Sequence, residues 1–322
     1  MLVSSTYGRL LEPGLRKIFF DSYRELPEQF SQVFKVQNSD KAVETDYRMG
    51  AFGLFEVKES GGSIKYDDPT RGLPLQYIHE EYAKGFTVER KLIKDAMYNQ
   101  INKMPAKFGI AARATVEKVA AKVLIDAFTV NGFDGKPLIS TTHMALNDKT
   151  VINNRLSTAF GATAADAALS DKSIKAALTQ AATQKNDAGI LVQCKPSVLV
   201  VPPALANIAE TIVGSPSISM LGNGTLTTNV SNASSEKNIV GNKIKKVVVM
   251  DYLSADQGGS DTAWYVIDPT VAELNFFWRE KLEFANENDF DTMQAKYRAY
   301  MRFSVGYSDF RGIVGSLGTG AA

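Results

Sequence analysis

Cysteine is nearly absent: Cys194 stands alone, so no internal disulfide framework forms, and a reducing compartment suits the chain. Excess charge of either sign is missing too. Thirty-six Lys and Arg against 35 Asp and Glu leave a net charge of +1, which removes the electrostatic case for sequence-specific nucleic-acid binding or for anchoring to an acidic membrane. The N-terminus, MLVSSTYGRLLEPG, lacks the basic region and apolar run of a secretory signal, and no apolar run approaches membrane-spanning length. The expectation is a soluble intracellular product. Histidine is scarce, with His79 and His143 alone, and no Cys or carboxylate cluster has metal-ligand spacing around them. Neither GxGxxG nor GxxxxGK[ST] occurs, so no phosphate loop is expected. No metal, no cofactor and no enzymatic activity are the resulting expectations.

Two residues keep a hydrolase in view as an alternative. His143 follows Ser140-Thr141-Thr142, but adjacency in sequence is not the geometry of a nucleophile and its base. Cys194 has Lys195 beside it, which lowers a thiol pKa when the thiol is accessible, whereas a buried, inert thiol is the plainer reading. The pairs Asp67-Asp68 and Asp289/Asp291 read as solvated loop charges. Tyr297, Tyr300 and Phe303 alternate with Lys296, Arg298 and Arg302. A strand with one face on the core explains that run more cheaply than a stacking platform for nucleic acid.

What the chain does have is a long helical pattern. In 105–129 the residues Ala112, Val116, Val119, Ala120, Val123 and Ala127 recur three and four apart, forming one stripe. Arg113 with Glu117 and Lys122 with Asp126 sit at i,i+4 on its flanks. Pro105 suits a first turn and Asn131-Gly132 a left-handed cap. A helix this long, on the order of 35 Å, serves as a spine for other elements.

Around it the pattern changes with position. Residues 1–45 predict a terminal arm with a helix over 15–25, followed by Phe30 and Phe34 with no core of their own nearby. Residues 46–86 read as a long hairpin or β-rich loop broken by SGGSIKYDDPTRG. A two-stranded ribbon is marginal alone, so it needs a surface to lie on. Thr87 is placed to cap a helix carrying Val88, Leu92, Ile93, Ala96 and Met97. Residues 147–166 predict an exposed loop. Ser170 caps a helix to about residue 185, 197–201 is a short buried strand, and 204–213 is a helix. Residues 214–242 predict a long loop or lobe tip, and 245–253 and 263–267 predict strands. The chain is strand-like again from Leu274 and over 293–305, ahead of a small, flexible tail.

Three passages together resemble the major capsid proteins of tailed bacteriophages, in particular the Mu-type major head subunit group: NGFDGKPLISTTH (131–143); NDAGILV (186–192) with KPSVLVVPPALA (195–206); and RFSVGYSDFRG (302–312). The order of elements is similar to the HK97-like fold over nearly the whole chain. The resemblance implies an α+β protein with an N-arm at 1–45, an extended loop at 46–86, a peripheral domain at 87–140 with its spine helix and at 270–322, and an axial domain at 141–269. It implies self-assembly into hexamers and pentamers of an icosahedral virion shell, formed in the host bacterial cytoplasm around double-stranded DNA. Portal, scaffold and decoration proteins are implied partners, with the scaffold a separate protein. The loop residues Phe52, Phe55, Tyr77 and Tyr82 and the arm residues Ile18, Phe19, Phe30 and Phe34 are then expected at contacts between subunits. An encapsulin-type compartment shell, which shares the fold, is the alternative.

Overall fold

The computed structural model describes residues 4–89, 91, 92, 95, 97–146, 150–215, 217–219, 235–289 and 294–321. They fall into two compact units. The first comprises Met1–Thr45, Gln76–Ala121 and Asn275–Gly306, and the second Asp46–Leu75, Lys122–Leu274 and Tyr307–Ala322.

The first unit is built on a four-stranded sheet. Its strands are β1 (Lys35–Asn38), β4 (Glu80–Glu89), β12 (Leu274–Asn288) and β13 (Gln294–Tyr307), in the order β1-β12-β13-β4. β13 explains the basic–aromatic run. Ala295, Tyr297, Ala299, Met301 and Phe303 are buried, while Lys296 and Arg298 are exposed, the two-residue period of a sheet with one face on a core. The same period decides β4. The expected helix does not start at Thr87: Thr87 pairs with Lys296, Val88 pairs with Ala295 and is buried, and helical backbone begins only at Lys91, whose carbonyl accepts the Asp95 N–H at 2.9 Å. Phe86 and Val88 follow the period of the strand, which a helical reading of Val88 onward misses. Of that expected helix, Ile93 and Ala96 lie outside the described residues.

Two helices cover this sheet. α1 (Ser4–Glu25) sets Leu15 and Phe19 into a cluster with Ile101, Phe284 and Tyr297. α2 (Tyr98–Ile125) is the spine, beginning seven residues before Pro105, so that the proline sits inside the helix and not at its first turn. A single 3-10 turn, Asp126–Phe128, extends it. Ala112, Val116 and Ala120 of the predicted stripe are buried, together with Ala121 and Leu124. Gly109 is where α1 and α2 touch: a Cβ there would stand 2.4 Å from the Phe19 carbonyl oxygen, too close for any side chain.

Arg113 and Glu117 are buried and turn to the N-terminal segment, not to each other as a surface pair. The Glu117 carboxylate accepts the backbone N–H groups of Gln29 and Phe30, each at 3.0 Å. Burial nevertheless raises its pKa from the ordinary value, against those two bonds. Arg113 donates to the Tyr23 carbonyl at 3.2 Å and lies over the Tyr23 ring.

The second unit has its own four-stranded sheet, β10-β7-β11-β14. β7 (Val198–Val201), β11 (Trp264–Ile267) and β14 (Ile313–Ser316) are buried at every residue, and β10 (Lys246–Val249) is an edge. β10 runs parallel to β7, and β11 antiparallel to both β7 and β14. Near-continuous Val and Ile reads as a strand covered on both faces. α3 (Asp171–Ala182) starts on a reciprocal Ser170/Ser173 capping box and buries Ile174, Ala177, Leu178 and Ala181. α4 (Ala206–Gly214) follows a 3-10 turn at Pro203–Leu205.

Two expected loops belong instead to this core. Between 150 and 166, Ile152, Asn154 and Leu156 are buried, because the Asn154 side chain binds the Leu138 and Phe310 carbonyls and Leu156 joins the apolar cluster. The C-terminal tail forms β14, whose pairing with β11 draws its small residues inside. Of the expected lobe tip, residues 216 and 220–234 lie outside the described residues. Two short antiparallel pairs also belong to this unit, β5 (His143–Met144) with β6 (Val151–Ile152) and β8 (Ser217–Ser219) with β9 (Ser235–Lys237).

Candidate assembly surface

β2 (Val43–Met49) and β3 (Arg71–Ile78) form a two-stranded ribbon. The Gly50 N–H donates to the Thr70 carbonyl at 2.8 Å and closes its end. The residues this bond encloses, 51–69, carry a single turn at 60–61 and no helix or strand. Six large apolar side chains there point to solvent: Phe52, Leu54, Phe55, Val57, Ile64 and Tyr66, with relative exposures from 57% at Phe52 to 101% at Phe55. Isolated surface hydrophobics are unremarkable, but a run of six on one segment marks a surface made to be covered.

Of the residues expected at contacts between subunits, Phe52 and Phe55 lie on this exposed segment. The others do not. Tyr77 is buried, packed edge-on to Phe277 at 5.0 Å, and Tyr82 is half-buried, stacked on Phe303 at 4.6 Å. Phe19 stacks on Phe284 at 4.8 Å, Phe30 packs on Phe276 at 4.5 Å, and both are buried, as is Phe34. Ile18 is half-buried. These side chains complete the chain's own first unit. Phe19, Phe30, Phe34 and Tyr77 thus keep almost no apolar surface for a neighbour.

The root of the ribbon is anchored by charge. Arg48, in β2, donates to the Asp187 carboxylate at 2.6 Å. Arg311 reaches the same carboxylate at 3.4 Å and pairs also with Asp309, and the Leu146 N–H donates to Asp187 at 2.8 Å. All four charged residues are buried. Burial works against the Arg311 cation, but Asp309 and Asp187 outweigh it and raise its pKa. Phe310 packs against two side chains: Arg48 stands 4.6 Å from its ring centre, and the His143 ring stacks on it at 3.8 Å and 7°. His143 Nδ1 is 2.6 Å from Asp134 and Nε2 is 3.1 Å from the Leu138 carbonyl.

The three passages quoted above therefore meet at one place: Asp134 and His143 from the first, Asp187 from the second, Asp309 to Arg311 from the third. Arg48, Asp187, Asp309 and Arg311 escaped the sequence reading, because a buried ion pair between distant segments has no periodic signature. The presence of Asp187, Asp309 and Arg311 in those passages was the available signal, and Arg48 lies outside them.

The same geometry disposes of the hydrolase alternative. His143 is fully buried, both its nitrogens face oxygens already in place, and one ring face is covered by Phe310. Cys194 is buried, and burial, with the neighbouring Asp268 carboxylate, pushes its thiol up to about 12. Among the described residues, no group of three or more His, Cys, Asp or Glu is placed to hold a metal ion. None of the described helices is long and apolar enough to cross a membrane.

The family model described as phage capsid protein matches residues 74–316. The chain belongs to the phage capsid protein family, a family of structural proteins and not of enzymes. No curated protein sequence matches it. Among solved structures, the fold is similar to the virus-like particle from Pyrococcus furiosus (TM-score 0.53, 11% identity, covering 94% of this chain and 98% of that one). It is similar also to the capsid of an empty GTA particle (TM-score 0.52, 13% identity, 90% and 89%). A third likeness is to the capsid of bacteriophage JBD30 decorated with minor capsid protein trimers (TM-score 0.50, 16% identity, 70% and 91%). The α+β fold is thus of the HK97-like capsid type. The protein is a major capsid protein that assembles with itself into the shell of a virion. The match does not single out the Mu-type group.

Proposed function

We propose that copies of this chain associate as the hexamers and pentamers of an icosahedral head enclosing double-stranded DNA, and that the 50–70 segment is the limb each copy lays on its neighbour. The first unit then acts as the peripheral domain and the sheet of the second as the axial domain. Assembly takes place in the host bacterial cytoplasm. A scaffold and a portal are its natural partners, and decoration trimers of the kind carried by the JBD30 capsid are a further class. DNA contact is non-specific, in keeping with a near-neutral chain.

One observation carries this reading: six exposed apolar side chains sit on a segment, 51–69, none of whose residues is buried. Covering them yields roughly 25 cal/mol per Å² of apolar area removed from water. Repeated around a closed shell, contacts of modest strength make a stable assembly.

The Gly50–Thr70 bond makes the test clean, since the loop can be replaced by a two-residue turn without moving the strands. The shortened chain should fold and remain unassembled, as read by sedimentation and negative-stain microscopy. Normal particles from it would refute the proposal. Nuclease-protected DNA inside wild-type particles is expected, and a protein cargo without DNA would overturn the head reading in favour of an encapsulin-type shell.

A further inference from the structure

The near-neutral chain hides a strong separation of charge across the second unit's sheet. At the end where β7 and β10 begin and β11 finishes, the segments 193–197, 243–246 and 268–271 carry four lysines and one acid. Lys195, Lys243, Lys245 and Lys246 are all exposed. The acid, Asp268, is buried and already engaged. It accepts from the Lys195 N–H at 2.6 Å and from the Thr270 N–H and hydroxyl at 2.9 and 2.6 Å. Among the described residues no ion pair uses any of the four lysines. Lys195, Lys243 and Lys245 rim a cleft of about 780 Å³ whose wall is completed by Leu178, Ala182 and Cys194.

The opposite end is acidic. Residues 250–263 follow β10 and lead into β11 and include Asp251, Asp256 and Asp261, with no lysine or arginine. All three side chains are exposed. Strands of four residues hold the two ends about 13 Å apart, farther than the Debye length of about 8 Å at physiological salt, so each end meets an approaching molecule as a patch of one sign.

We infer that the lysine end of this sheet in one copy abuts the acidic end of the same sheet in the next copy, a head-to-tail contact that sets the direction of the ring. The inference rests on the self-assembly proposed above and names a second surface for it. End-to-end meeting through a two-fold axis would bring like ends together, and like charges across an interface cost several kcal/mol. Head-to-tail succession pairs unlike ends at every step, the heterologous arrangement that closes into a ring when each copy is rotated by a whole fraction of a turn from the last. Guarding the exposed edge of β10 against strand pairing accounts for Lys246 and no more, because Lys195, Lys243 and Lys245 stand off the strand.

Charge reversal at one end, then at both, tests it in the full-length chain. Lys243→Glu with Lys245→Glu, and separately Asp256→Lys with Asp261→Lys, should each reduce particle yield by on the order of tenfold or more while thermal unfolding stays cooperative. The fourfold variant, with both ends reversed, should recover particles. A one-ended variant that assembles like wild type overturns the inference, and so does a folded fourfold variant that stays unassembled. Both results leave the loop-deletion result standing. Wild-type chain that never assembles fails the proposed function itself and takes this contact with it.

Discussion

The 50–70 loop and the 307–321 tail belong to the same unit, and their fates are the reverse of what their compositions suggest. The loop is rich in Phe, Leu, Val, Ile and Tyr and stands in solvent. The tail is Gly, Ser and Ala with a few apolar residues, yet Phe310, Ile313, Val314 and Ser316 are almost wholly buried. Hydrophobicity does not separate them. The tail finds a partner within the chain, pairing Ile313–Ser316 with Trp264–Ile267. Gly312 makes the turn into it with φ of +82°, in a space where a Cβ would stand 2.6 Å from the Ala272 nitrogen. Among the described residues, the loop's six large apolar side chains all stay exposed. Under the proposed function its apolar groups are the ones a neighbouring copy covers, so the contrast is between a segment that completes the fold and one offered to a partner.

Removing the tail is the harshest way to break that comparison. A chain ending at residue 306 loses β14, the ring of Phe310 and both Arg311 ion pairs. The second unit should fail to fold cooperatively, giving a calorimetric trace without its transition. Next in size is Asp187→Ala, which leaves Arg48 and Arg311 facing each other in a buried site. Removing one partner from such a cluster costs about 3–5 kcal/mol, to be read from denaturant unfolding. Phe55→Ser sharpens the contrast from the other side. Unfolding stability should move by no more than about 0.5 kcal/mol, as for other exposed positions, while particle yield falls.

How far the sequence disclosed this arrangement depended on the range of the interactions. Elements written in local periodicity were legible: the spine stripe at Ala112, Val116 and Ala120, the Ser170 cap, the buried 198–201 strand, and the alternation of Tyr297 and Phe303 with Lys296 and Arg298. Elements decided by distant partners were not. Val88 fitted a helical spacing, yet Ala295, more than two hundred residues away, makes it a strand residue. Phe19 and Phe30 were apolar and without visible company, yet Phe284 and Phe276 supply it. Phe52 and Phe55 stood out in the sequence as apolar residues without local company, and both are exposed. The Arg48–Asp187–Arg311 anchor beneath them became visible only once three separated passages met.

The smallest effect should be confined to the first unit and appear as a pH dependence. His79 is buried between two hydroxyls, with Nε2 at 3.2 Å from Ser39 Oγ and Nδ1 at 3.0 Å from Ser304 Oγ. Burial, reinforced by the Arg302 charge, holds its pKa below the ordinary 6.5. The unfolded chain therefore binds a proton here more readily than the folded one, and stability rises with pH across that interval. The contribution is complete above about 6.5 and is lost as pH falls through the lower, folded value. Glu117 acts in the opposite sense, because its raised pKa favours proton uptake by the folded chain as pH falls. Total stability thus mixes the two, and the informative quantity is the difference between wild type and His79→Gln. That difference should be flat above pH 7 and shrink in wild type's disfavour as the solution is acidified below about 6.5. A difference that stays constant from pH 8 to pH 5 would mean that His79 titrates alike in both states and that its burial between Ser39 and Ser304 does not decide its charge.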